Sequence, residues 1–203
     1  RSLLLVLYYS FTKAEDGTLV FTLDNFIRVM EPTYLKVLWR SVLLALVSTG
    51  VCFLIGYPVS MILSGRDISS KSTLVLLFVL PMWMNFLLRT YAWMTLLDNK
   101  GVINTFLGAL GLPQLNLLYT DFAVILGMVY NFLPFMVLPI YSVLRKIDRN
   151  LIEAAEDLGA NNARVFLKVT FPLSLPGVVS GITMVFMPAV TTFIISKLLG
   201  GNQ

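Results

Sequence analysis

Four long apolar runs, residues 37–63, 72–97, 122–144 and 169–195, limit what this chain can fold into more than any other feature. Each holds the roughly twenty or more predominantly apolar residues that a helix needs to cross about 30 Å of hydrocarbon. A water-soluble fold would have to hide all four behind polar side chains, and those are scarce. Charged residues are 13% of the 203 and mean hydropathy is +0.82, where soluble domains carry about 25% charged residues. The sequence therefore predicts an all-α integral membrane protein, since helices satisfy their own backbone hydrogen bonds in lipid.

A shorter apolar piece, residues 3–9, cannot cross. The chain opens on Arg1, without an initiator Met, and no small-residue cleavage site follows this piece, which argues against a signal peptide. The expectation is the tail of a helix whose start is missing. That gives four complete transmembrane helices plus a truncated first one, in a single transmembrane domain over 1–203.

The basic residues orient these crossings. Loop 64–71 carries Arg66 and Lys71, and loop 145–168 carries Arg145, Lys146, Arg149, Arg164 and Lys168. The alternate side has Lys13, Arg28, Lys36 and Lys100. Seven against four places 64–71 and 145–168 in the cytoplasm by the positive-inside rule. Residues 12–36 and 98–121 then face outward. Within 12–36, Phe26, Ile27 and Met30 form a short apolar stripe, and Pro32 sits where a helix can restart. Within 98–121, Val102, Ile103, Phe106, Leu107 and Leu110 recur at helical spacing before Gly111 and Pro113 stop the helix.

The residue inventory excludes several chemistries. There is no His and a single Cys, Cys52, so histidine acid–base catalysis, zinc sites and intrachain disulfides are absent. No Asp or Glu lies inside a predicted span, which disfavours a proton-driven carrier and an intramembrane aspartyl protease. A net charge of +4 does not require a nucleic-acid partner.

Loop 145–168 is the most informative segment. On a helical wheel, residues 148–158 place Leu151, Ala154, Ala155, Ile152 and Leu158 on one side and Glu153, Glu156 and Asp157 on the other. Asn150 followed by Glu153 fits an N-terminal capping box, Gly159 supplies the stop, and Asn161 or Asn162 caps a second short helix. A helix lying on an anionic membrane surface would carry basic residues on its polar face. This one is acidic, which favours docking on a cytoplasmic protein over lying on lipid. A helix packed only on its own bundle is the alternative.

Glu153-Ala154-Ala155, Gly159 and Val169-Thr170-Phe171-Pro172 resemble the EAA loop of the permease subunits of ABC importers, with Val169 and Phe171 in place of the family's Ile and Leu. Phe21 to Phe26, Gly56-Tyr57-Pro58, Leu88 to Trp93, Gly101, Asn104, Met187-Pro188-Ala189 and Leu198 to Gly201 narrow the resemblance to the spermidine/putrescine permeases. The resemblance implies a type I ABC importer permease helix bundle in the bacterial cytoplasmic membrane. It makes 145–168 a coupling loop in which Glu153, Ala154 and Ala155 touch an ATPase, Gly159 makes the turn and Pro172 starts the next span. It also implies two ATP-binding subunits, a second related permease subunit and an extracellular or periplasmic polyamine-binding protein. ATP and Mg would be bound by the partner ATPase, with no cofactor in this chain. On this reading the chain is a transport subunit rather than an enzyme, and it is short of a helix at its end.

For a cationic cargo, aromatic faces and neutral acceptors are candidate pathway or gate groups: Trp83, Asn85, Tyr91, Trp93, Tyr130 and Asn131, with Asp98 and Asp121 near the outer mouth. Trp and Tyr near span ends also serve as interface anchors. Arg89, the one charge well inside a predicted span, is either a snorkelling or structurally paired cation or part of a gate. Pro81, Pro134, Pro139 and Pro188 interrupt helices, for a pathway or for a bend. Gly177 and Gly181 read as helix packing. The rivals are the same machine with another cargo (ferric iron, thiamine or an anion) and a channel or scaffold without an ATPase.

Overall fold

The computed structural model describes residues 12–15, 18–21, 32–65, 79–192, 195 and 199–200. Residues 1–43 and 44–203 form two compact units.

In the first unit, β1 (Thr12–Glu15) and β2 (Thr18–Phe21) pair antiparallel, Thr12 opposite Phe21 and Glu15 opposite Thr18. Between them the sequence reads Asp16-Gly17, a dipeptide favoured in two-residue hairpin connections. This hairpin is an addition to the helical architecture expected. The apolar piece 3–9 and the stripe of Phe26, Ile27 and Met30 lie outside the described residues. Helix α1 (Pro32–Ser64) opens on Pro32, as its fixed φ and missing N–H allow at a first helical position. It continues unbroken into the second unit.

The second unit carries the other described helices. After α1 come a 3-10 turn (Leu80–Trp83), α2 (Phe86–Leu97), α3 (Val102–Ala109), α4 (Asp121–Leu144), α5 (Arg149–Asp157), α6 (Asn162–Val165), a wide π turn (Phe166–Thr170) and α7 (Phe171–Thr191). Among the described residues, three helical stretches are long and apolar enough to cross a membrane: Leu35–Ser64, Asp121–Leu144 and Asn162–Thr191. They match three of the four predicted runs.

The fourth run, 72–97, differs. Residues 72–78 lie outside the described residues, and the remainder is not one helix. Pro81 lies in the 3-10 turn, the backbone extends at Met84, and the Asn85 side chain then caps a fresh 12-residue helix by accepting from Leu87 N at 2.9 Å. A proline followed by an N-cap residue breaks the ladder that the apolar composition would otherwise continue.

Helix α4 is the hub, packed most extensively on α7. Ser48 reaches Met128 Sδ, and Ser60 Oγ donates to Val137 O at 3.0 Å, so α1 runs parallel to α4. Small residues set the approach of α7. A Cβ on Gly177 would meet Pro139 O at 2.9 Å, and one on Gly181 would meet Met136 O at 3.1 Å. These two glycines are packing residues, and their order makes α7 antiparallel to α4. The C-terminal ends of α1 and α4 and the N-terminal end of α6–α7 therefore gather at one end of the bundle.

Candidate functional site

That end of the bundle carries residues 145–168. Helix α5 is capped by Asp148, whose Oδ1 accepts from Asn150 N at 3.0 Å. The expected capping box of Asn150 with Glu153 is therefore displaced by two residues. Asp148 holds extended backbone, as an N-cap residue must, while Asn150 is already helical. Glu153 lies 3.6 Å from Arg149 Nε instead, an exposed pair worth at most about 0.5 kcal/mol.

The helix stops as Gly159 predicts. Gly159 has φ +81°, its N–H donates to Glu156 O at 2.8 Å, and Ala160 N donates to Ala155 O at 3.1 Å. This pair of bonds is the Schellman motif, and it needs a residue at ease in the left-handed region. Asn161 then caps α6 through Arg164 N at 2.9 Å.

Only Ile152 and Ala155 of the apolar side are partly covered. Leu151, Ala154 and Leu158 are exposed, Leu158 by 90%, beside the exposed Glu153, Glu156 and Asp157. Helix α5 therefore presents an apolar strip next to an acidic one, both open to the surface among the described residues.

Pro172 is the second residue of α7 (Phe171–Thr191). It sits within the continuous stretch Asn162–Thr191, just after the π turn. Proline offers no N–H and its ring crowds the carbonyl four residues back, so the ladder widens immediately before it. Phe171 N bonds Phe166 O across that wide turn. Tyr57 of α1 brackets the turn, its ring centroid 5.8 Å from Phe166 and 5.7 Å from Phe171. Its hydroxyl lies 2.8 Å from Ser174 Oγ, and Ser174 donates onward to Phe171 O.

The pathway candidates divide. Trp93 and Tyr130 meet edge-on at 5.4 Å, joining α2 to α4. Next to Tyr130, Asn131 is 2% exposed, donates through Nδ2 to Gly127 O at 2.8 Å, and leaves Oδ1 buried without a partner among the described residues. Arg89, in the first turns of α2, is half-buried, and its Nε is likewise unpartnered. Trp83 is 83% exposed, Tyr91 is exposed, and Asn85 is spent on capping. Pro188 sits in the last turn of α7, where its carbonyl accepts from Thr192 N. Asp98 ends α2 and Asp121 begins α4.

The match to the family described as "Binding-protein-dependent transport system inner membrane component" covers residues 56–203, from the middle of α1 through α5 and α7. The chain belongs to this family. Over 98% of its length it is 39% identical to the spermidine/putrescine transport system permease protein PotB of Escherichia coli (strain K12), of which it covers 74%. It is 41% identical to the PotB of Haemophilus influenzae, covering 72% of that protein. A crystal structure of a bacterial ABC transporter involved in the import of the acidic polysaccharide alginate superposes with a TM-score of 0.70 at 17% identity. That alignment covers 98% of this chain and 70% of the other, so the fold is that of an ABC importer permease. The protein is an ABC transport component of the inner membrane that crosses it more than once.

Two structural features have little local signal in the sequence. The Tyr57 bracket joins residues more than a hundred positions apart, and only the proline after Phe166 and Phe171 hints at it. Gly101 and Asn104, noted for their resemblance alone, turn out to fix a turn. Asn104 is buried, donates to Asp98 O and Leu115 O, and accepts from Leu115 N at 2.9 Å.

Proposed function

We propose that this chain is one permease subunit of an ATP-driven importer of polyamines, spermidine and putrescine being the cargo class. Its identity to the PotB proteins over nearly its whole length carries the assignment. The domain is one permease domain over 1–203, with 145–168 as its coupling loop on the cytoplasmic side, where its basic residues belong. The acidic and apolar strips of α5 seat on a cytoplasmic ATP-hydrolysing subunit, with Glu153, Ala154 and Ala155 in contact and Gly159 setting the exit. Two such subunits, a second permease subunit and an external polyamine-binding protein complete the machine. ATP and Mg act on the partner, so this chain catalyses nothing itself.

ATP binding closes the ATPase pair and displaces α5. The rigid α6–α7 stretch carries that movement into the bundle. The loaded binding protein favours the outward-open state by differential affinity. Trp93, Tyr130 and Asn131 offer a cation-facing aromatic pair beside an unused buried acceptor.

Uptake of labelled spermidine into a strain lacking its own importers, with the full set of subunits supplied, tests the cargo. Saturable uptake competed by putrescine is expected. Competition by ferric iron or thiamine, with none by putrescine, would overturn it.

A further inference from the structure

We propose that the open cavity behind the docking element is a binding site for an anionic phospholipid. The cavity holds about 480 Å³ between the last turn of α1, the last turn of α4, α5 and the end of the wide turn, within the range of small-ligand pockets. Its walls are aliphatic: Met61, Leu63, Leu144, Ile147 and Ile152. Among the described residues its charged lining is two guanidiniums, Arg145 and Arg149, with no carboxylate.

Both cations keep donors in reserve. Arg145 lies over the Tyr141 ring, 5.8 Å from its centroid, and spends one N–H on the Tyr141 hydroxyl at 3.0 Å. Arg149 approaches Glu153 through Nε alone. An arginine has five N–H donors in a planar fork that matches phosphate oxygens. Apolar walls topped by two such forks fit a ligand with a phosphodiester head and an acyl chain. A free anion would gain nothing from the walls, and a zwitterionic lipid would gain less from the rim. Basic pockets between spans on the cytoplasmic side meet anionic headgroups directly. The site therefore rests on the orientation given above, but lipid affinity is measured without transport. A failure to carry spermidine would leave it standing.

The test uses the assembled transporter in detergent, titrated with palmitoyl-oleoyl-phosphatidylglycerol and followed by native mass spectrometry. Saturable binding is expected. The Arg145→Gln/Arg149→Gln variant should weaken it about 30-fold. Lys146→Gln/Lys168→Gln, an equal charge change outside the cavity lining, should not. If the double variant fails to assemble, Ile152→Trp, which fills the cavity from its apolar wall, should lower the affinity in the same way. Equal affinity of the Arg and Lys variants would overturn the site. So would equal binding of phosphatidylcholine, or binding of glycerol 3-phosphate as tight as that of the lipid. Loss of the ATPase subunit from the double variant with lipid affinity unchanged would assign the cavity to the ATPase instead.

Discussion

The Tyr57 hydroxyl meets Ser174 Oγ at 2.8 Å, joining α1 to α7 immediately beyond the wide turn at 166–170. Because Ser174 donates to Phe171 O, it is free to accept from Tyr57, and the chain of bonds ends on the first carbonyl after the turn. The aromatic bracket and this bond together hold open a turn that Pro172 alone would only weaken.

The bond and the ring contribute separately. Tyr57→Phe keeps the edge contacts with Phe166 and Phe171 and removes one hydrogen bond, which should cost about 1 kcal/mol. Tyr57→Ala removes the ring as well and should cost about 3–5 kcal/mol. Thermal unfolding of the assembled transporter checks both, and equal losses for the two variants would show that the rings contribute nothing.

Gly101 and Gly108 form an internal control. A Cβ at Gly101 would lie 2.5 Å from Thr95 O and 2.6 Å from Leu96 O, whereas one at Gly108 meets nothing within 4 Å. Gly101→Ala should therefore lower the unfolding temperature of the transporter and its yield in the membrane. Gly108→Ala, inside helix α3, should hold or raise stability by about 0.5–1 kcal/mol.

Coupling should fail without loss of insertion when the docking element alone is altered. Glu153→Lys reverses charge on the exposed acidic strip. Gly159→Val forces a β-branched residue to a positive φ, at a local cost of about 1–2 kcal/mol. Both variants should reach the membrane at normal levels and lose most substrate-stimulated ATP hydrolysis by the complex. Normal stimulation in both would remove the assigned role of 145–168.

The end of α5 was readable because its signals are local. Gly159 follows an amphipathic stretch, and Asn161 precedes the next. The start was misread by two residues because Asp148 and Asn150 are both good caps, and only the backbone, extended at Asp148, decides between them. Three crossing helices were visible as uninterrupted apolar runs. The break in the fourth run was marked by Pro81 and Asn85, but composition averaged over a long window hides two residues. The hairpin had its Asp-Gly signal in a segment read only for helix. The Tyr57 bracket and the cavity with Arg145 and Arg149 are assembled from distant elements, so no window of sequence contains them.

Asn131 separates function from stability. Its Oδ1 is buried with no partner among the described residues, and its Nδ2 bonds only Gly127 O. A buried acceptor without a donor costs free energy, while an apolar side chain of similar shape replaces it at little cost. Asn131→Leu should therefore change stability by no more than about 1 kcal/mol, in either direction. If the acceptor serves the cargo, spermidine uptake should still fall at least about tenfold, the effect of losing one hydrogen bond to a charged amine. Unfolding temperature and uptake, measured on the same preparation, decide the matter. A large drop in both would make Asn131 a structural residue, and unchanged uptake would remove it from the pathway.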